Sequence, residues 1–250
     1  SQNLKYIDYF NINDIYTSSS NSVSFGSGIM NSAIYMNSAP IRKSDSLNSS
    51  FFQDFSSALN SSKMNLSSVY RIGKVNAFTS ISINDYGLIK AGKNRAHGYD
   101  DWGGLPHMFE NKRQKYTQNH SVYLTQRISK NISDFSIANI DLYSSNFSRL
   151  NRIDKLYDLK EGVPKFEKWY YGPQNYFLSK LSLLNYKSYM LSDKFQITAA
   201  YQKFNESRHK KKYTDNFQSN RYEGLDIIDS KMDYKKNFTK STLNYGISNR

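Results

Sequence analysis

The feature that most constrains this chain is a run of segments with a period of two, joined by connections that are alternately a few residues and a few tens of residues long. Across 74–86, Val75, Ala77, Ile81 and Ile83 fall on one face and Lys74, Asn76, Ser80, Ser82 and Asn84 on the other. Successive side chains of a strand point to opposite faces, so this alternation marks a β-strand whose two sides meet unlike surroundings. The pattern recurs across 193–204, where Phe195, Ile197, Ala199 and Tyr201 oppose Gln196, Thr198 and Gln202. Ile228, Met232 and Tyr234 likewise oppose Asp229, Lys231 and Asp233.

Strands are expected at 51–59, 63–72, 74–86, 116–128, 134–147, 176–186, 193–204, 225–235 and 241–247. The connections 60–62, the Gly73 turn, 129–133, 187–192 and 236–240 are short, whereas 87–115, 148–175 and 203–224 are long. From the second strand onward short and long alternate. In an up-and-down meander, alternate connections share an end, so one end carries tight turns and the other carries large loops. Outer-membrane barrels are built this way. Strands of about ten residues also exceed the ~5–6 usual in globular domains and suit a tilted membrane crossing. The expected fold class is all-β: an antiparallel up-and-down meander forming a partial transmembrane β-barrel of about nine strands.

With 38% hydrophobic residues and a mean hydropathy of -0.71, the chain resembles a soluble domain by composition. That average carries little weight, because a barrel alternates lipid-facing and lumen-facing residues. No stretch approaches the ~20 apolar residues of a membrane-spanning helix. The absence of cysteine excludes disulfides and thiolate metal sites. The 34 Lys+Arg against 21 Asp+Glu give +13, but Arg208 to Lys212, Lys235, Lys236 and Lys240 lie in connections rather than on a basic helix. No nucleic-acid motif accompanies them, so nucleic acid is not an expected partner. Aromatic residues make up 15%, with 21 Tyr, and barrels gather Tyr and Trp at the membrane interfaces. Tyr70, Tyr86, Tyr116, Tyr143, Tyr201 and Tyr245 fall at or near the expected strand ends. The chain opens Ser-Gln-Asn without Met, so any signal peptide is expected to be removed or to lie outside it.

No catalytic constellation, metal set or cofactor motif emerges. His97, His107, His120 and His209 are too scattered for a metal spacing. Asp100 and Asp101 offer carboxylates beside Trp102 in a glycine-rich loop, as do Asp154, Asp158 and Glu161 elsewhere, but loop acids are more often simply solvated. Ligand capture is the better framework. Trp102, Trp169, Tyr170 and Tyr171 provide rigid surfaces, and Arg95, Arg208 and Lys210 provide donors to an anion. The aromatic triplet also suits an interface girdle.

The first part of the chain differs, with a serine run and two glycines, Gly26 and Gly28, that suit a tight turn leading into a strand. The stretch Phe25-Gly26-Ser27-Gly28-Ile29-Met30-Asn31-Ser32-Ala33-Ile34-Tyr35-Met36, followed by a Ser-rich linker and long strands, resembles the end of the plug and the start of the barrel in TonB-dependent outer-membrane receptors. Lys90-Ala91-Gly92-Lys93-Asn94-Arg95-Ala96-His97-Gly98-Tyr99-Asp100-Asp101-Trp102-Gly103 resembles an early barrel loop of that family. Trp169-Tyr170-Tyr171-Gly172-Pro173-Gln174 and Asn205-Glu206-Ser207-Arg208-His209 are similar to later barrel segments. Where the family commonly has paired glycines, this chain has Asn31-Ser32.

The resemblance implies residues 1-44 as the C-terminal end of a plug and 45-250 as the N-terminal portion of a barrel that has about 22 strands in the family. Nine is odd, whereas single-chain bacterial barrels have even strand numbers, so a fragment is expected. The resemblance further implies a cell outer-membrane location and long connections outside the cell. It implies uptake of a siderophore, haem, cobalamin or glycan, with the TonB energy-transducing protein as a partner through a segment upstream of this chain. Other readings are a small complete outer-membrane barrel (pore, adhesin or enzyme) and a secreted all-β binding domain.

Overall fold

The computed structural model describes residues 4–18, 33–38, 47–90 and 108–249. Two short helical turns, Leu4–Tyr6 and Tyr9–Asn11, lead into β1 (Ile12–Ser18), which pairs antiparallel with β2 (Ala33–Ser38). The main sheet starts with β3 (Asn48–Ser56), β4 (Ser61–Ile72) and β5 (Val75–Tyr86). A small hairpin of β6 (Phe109–Glu110) and β7 (Arg113–Gln114) interrupts the next connection. Then follow β8 (Asn119–Ser133), β9 (Ser136–Phe147) and the two-residue β10 (Leu150–Asn151). The single turn of α1 (Ile153–Leu156) precedes a hairpin of β11 (Leu159–Lys160) and β12 (Val163–Pro164). The chain continues through β13 (Phe166–Tyr171), β14 (Gln174–Asn185), β15 (Lys194–Lys212), β16 (Ser219–Asn237) and β17 (Thr242–Asn249).

All nine expected strands are present, paired antiparallel in the order β3-β4-β5-β8-β9-β14-β15-β16-β17, with β10 and β13 added beside the upper part of β15. These make an open 11-stranded sheet among the described residues. Connections 73–74, 134–135, 186–193 and 238–241 lie at one end, and 57–60, 87–118, 148–173 and 213–218 at the other. Gly73 turns the chain tightly at a φ of 59°. Two expectations need correction. The segment 203–224 is not a long loop, because β15 runs on to Lys212 and β16 starts at Ser219, leaving 213–218 to connect them. Strict alternation of length therefore fails at 186–193 and 213–218, where height is built from strand instead. The segment 148–175 is likewise structured, and its β13 prolongs β14 along the same edge of β15.

The two faces of the sheet are unlike. Cross-strand partners share a face, so Leu66, Ile81 and Leu124 lie in one row and Ile140, Leu181 and Ala199 in another on the same side, with Ile128 opposite Ile140 and Ile228 opposite Tyr201. These outward side chains stay accessible, Leu181 at 55%. The largest fully buried side chains are instead Ser61, Ser80, Ser82 and Ser145. A soluble sheet hides its apolar face and wets its polar one; this sheet does the reverse. Aromatic rings border the outward apolar band at both ends. At the short-turn end, Tyr189, Phe195, Tyr234 and Tyr245 follow one another with centroids 6.3, 6.2 and 5.1 Å apart. Toward the long-loop end, Phe177 and Tyr201 lie 6.4 Å apart.

The polar face is covered by residues 5–11. Asp8 is buried; its carboxylate accepts from Ser82 Oγ at 2.6 Å, Asn11 Nδ2 at 2.9 Å and Phe10 N at 3.2 Å. Ser82 and Ser80 are bridged by the Asn65 amide, at 2.7 and 2.9 Å. Tyr143 is held on this inward side, its hydroxyl accepting from Asp8 N and donating to Tyr6 O, and Tyr123 donates to Lys5 O at 2.8 Å. Tyr143 is therefore neither at a strand end nor on the outward surface, because a backbone segment has claimed its hydroxyl. Further down the same face Asp141 pairs with Arg127 at 3.1 Å and Lys180 at 2.7 Å.

Candidate functional site

Above the outward apolar band, β10, β13 and the upper parts of β15 and β16 form a four-stranded extension of the sheet. Its junction with the lower sheet is a bulge. Tyr171 pairs with Arg208 and Asn175 with Asn205, so residues 172–174 face only 206–207. Gly172 N donates to Ser207 O at 2.8 Å. Gly172 has a φ of 100°, and a Cβ there would stand 2.9 Å from Ser148 O and 3.2 Å from Arg149 Cα. Only glycine fits this conformation in this space.

Registers Trp169↔Lys210, Tyr170↔His209 and Tyr171↔Arg208 split the aromatic triplet between faces. Trp169 and Tyr171 share the inward side with Arg208 and Lys210, while Tyr170 lies opposite, stacked on His209 with centroids 4.5 Å apart. The guanidinium of Arg152 lies 5.7 Å from both the Trp169 and the Tyr171 ring centroids. Lys210 Nζ sits 5.5 Å from Trp169 and the Arg208 guanidinium 5.4 Å from Tyr171. Two rings thus hold three cations.

Carboxylates tether two of these cations. Arg152 makes a two-pronged bond to Asp154 at 2.8 and 2.6 Å and donates to the Tyr171 hydroxyl at 2.7 Å. That bond holds the Asp154 carboxyl below its usual range. Arg208 bonds Glu206 at 3.0 Å and lies 3.6 Å from Glu223. Lys210 has no carboxylate partner within ion-pair distance among the described residues. A preset row of cations over rings, with one ammonium left for a newcomer, suits an anionic ligand with a flat or apolar part.

Of the residues singled out by sequence, Trp169, Tyr171 and Arg208 are brought together, and Tyr170 is set on the other face. Arg95, Asp100, Asp101, Trp102, Gly26 and Gly28 lie outside the described residues. Arg152, Glu206 and Glu223 were not anticipated as site residues. Arg152 carried no sequence signal, because it follows the two-residue β10 and is placed by the bond from its N to Trp169 O at 2.8 Å. Below this cluster a cavity of about 500 Å³ opens between residues 5–12 and the wall, lined by Ile7, Tyr86, Tyr123, Phe147 and Leu150 among others. Among the described residues no group of three or more His, Asp or Glu side chains is arranged to hold a metal ion.

No family model matches the chain, and no curated protein matches it. Among solved structures, the chain is similar to the FrpB iron transporter from Neisseria meningitidis (F3-3 variant), with a TM-score of 0.71 at 14% identity. The alignment covers 96% of this chain and 36% of that one, so this chain spans about a third of the transporter's length. At that identity the likeness is one of fold: the antiparallel sheet follows part of the β-barrel of a transporter.

Proposed function

We propose that this chain is part of a TonB-dependent outer-membrane receptor, with residues 1-44 the end of its plug and 45-250 the first portion of its barrel wall. The receptor takes an anionic small molecule or metal complex onto Trp169, Tyr171, Arg152, Arg208 and Lys210 at its outer mouth. Energy from the TonB protein then moves the plug and lets the ligand pass. The observation that carries this reading is the inverted sheet: a buried polar face covered by residues 5–11 and an exposed apolar face bordered by aromatic rings. The cation-and-aromatic cluster stands on the same inward side as that covering segment, where an entering ligand would meet it first.

The test is binding by the full-length protein in detergent, titrated separately with ferric citrate, haemin, cyanocobalamin and maltoheptaose and followed by calorimetry. One anionic member of the set should bind, and Trp169→Ala or Lys210→Gln should weaken it about tenfold each, the usual cost of one good interface contact. Binding that neither change alters would refute the site. Retention of the protein in the soluble fraction of cells would refute the receptor.

A further inference from the structure

The connections at the short-turn end are not alike. Residues 73–74, 134–135 and 238–241 turn the chain tightly, whereas 186–193 is longer and is held in one shape. Tyr189 N donates to Ser192 O at 2.7 Å, and Ser192 is buried beneath it. The backbone of this turn is gripped from the outward side of the sheet. Lys236 Nζ donates to Tyr189 O at 2.9 Å and pairs with Asp193 at 3.0 Å. The Tyr245 hydroxyl donates to Leu191 O at 2.7 Å. Registers Phe195↔Tyr234 and Tyr234↔Tyr245 put Tyr245 in the outward row that the Tyr189 ring joins, and Lys236 is two positions from Tyr234 on the same face. The turn therefore does not hang straight off the end of the sheet. From its origin between β14 and β15 it reaches toward β17, two strands over, which is about 10 Å at a ~4.8 Å strand spacing. What it holds outward is apolar: Met190 is 91% exposed and Leu191 71%.

We infer that the turn 186–193 is a membrane-inserted foot, with Met190 and Leu191 seated at the acyl boundary of the leaflet that meets the short-turn end. The inference rests on the membrane reading above. Three observations favour lipid over a protein partner. The apolar tip is continuous with the aromatic row Tyr189, Phe195, Tyr234 and Tyr245, which borders the outward apolar band. Its chemistry is that of an interfacial segment, bare aliphatic side chains beside rings with polar tips and ammonium groups on long stems. Lys187 lies 5.9 Å from the Tyr189 ring and Lys194 5.2 Å from the Tyr186 ring, where both can reach back to headgroups. Two carbonyls of the turn, Tyr189 O and Leu191 O, are already bonded by Lys236 and Tyr245, and an unbonded carbonyl is what the acyl region tolerates least.

The test uses the full-length protein, any cysteine elsewhere being replaced by serine, with a single cysteine at 134, 190, 191, 197 or 239 carrying an environment-sensitive fluorophore. Each is reconstituted in phosphatidylethanolamine and phosphatidylglycerol vesicles, with and without nitroxide-labelled acyl chains. Labels at 190 and 191 should shift to the blue, be quenched by the lipid nitroxide and resist aqueous iodide. Labels at the tight turns, 134 and 239, should do the opposite. Tyr245→Phe with Lys236→Gln, which releases both carbonyls, should lower lipid quenching at 191 toward that at 239. Heat-modifiable gel mobility confirms folding of each variant. Iodide quenching at 190 and 191 equal to that at 134 and 239 overturns this inference. A blue shift without lipid quenching overturns it too, because a second copy then covers the turn. Lipid quenching at 197 leaves the receptor reading standing in either case, whereas iodide quenching at 197 as well as at 190 and 191 overturns both.

Discussion

The lower and upper parts of β15 are one continuous strand in one register, yet they solve different problems. From Phe195 to Tyr201 its outward residues are apolar and accessible, and its inward Gln196 and Thr198 are polar. From Ser207 to Lys211 the outward residues are hydrogen-bonded or charged, while the inward Arg208 and Lys210 rest on aromatic rings. Backbone pairing is unchanged across the boundary. On the receptor reading, what changes is the medium that the outward face meets: hydrocarbon below, water above. Strand geometry therefore does not report where a membrane ends; side-chain chemistry on one face does.

The strongest way to break this comparison is to put a charge on the outward face at each level. Leu181→Arg, in the middle of the band, should cost about 2–4 kcal/mol of stability in vesicles, whereas Tyr222→Lys, outward on the extension, should stay within about 0.5 kcal/mol. Urea unfolding of the full-length protein in vesicles would read both. Equal costs would mean that both levels see the same solvent.

The junction offers the next largest effect. Gly172→Ala adds a Cβ where Ser148 O stands at 2.9 Å and demands a left-handed backbone of a residue that disfavours it. A loss of about 1–3 kcal/mol is expected. Hydrogen exchange should quicken in 166–171 and 206–212 while β4, β5 and β8 keep their protection. Uniform quickening would show that the extension is not a separable unit.

The smallest effect is a pH dependence at the opposite, short-turn end. Asp193 accepts from Ser188 Oγ at 2.6 Å and Asn237 N at 2.8 Å and pairs with Lys236 at 3.0 Å. These bonds, Ser188 first, lower its carboxyl from the ordinary 3.8 to about 2. A depressed carboxyl stabilises the turn while ionised, so the contribution is present at neutral pH and is lost as pH falls from about 4 toward 2. Amide protection at 238–241 should fall over that window in the wild type and be flat in Asp193→Asn. The extension above Tyr201 should not respond with it.

Much of the lower sheet was legible in the sequence, because one face is apolar and the other polar, so that side chains alternate residue by residue. Ser80 and Ser82 against Ile81 and Ile83 gave both strand and face. The same signal vanishes above Tyr201, where Gln202, Lys203, Asn205 and Glu206 are polar on both faces, and a strand there looks like a loop. Trp169, Tyr171 and Arg208 could be picked by residue type, but their grouping depends on the β13–β15 register, and Tyr170 was sent to the other face by that same register. Arg152 was invisible because it lies just beyond a two-residue strand and is placed by one backbone bond to Trp169 O. The grip of residues 5–11 on the wall joins Asp8 to Ser82 across 74 positions, a distance over which local pattern carries no information.

The most direct measurement uses the absence of cysteine from these 250 residues, any cysteine elsewhere in the full-length protein being replaced by serine. Single cysteines placed along β15 from 195 to 211, spin-labelled in the full-length protein in vesicles, would be tested for contact with oxygen in lipid and with a nickel chelate in water. The account expects positions 195, 197, 199 and 201 to favour oxygen, the intervening even positions not to, and 203 onward to favour nickel on both faces. Favouring of the water-borne chelate at 197 and 199 would contradict it, for then the apolar face of this sheet would not lie against a membrane.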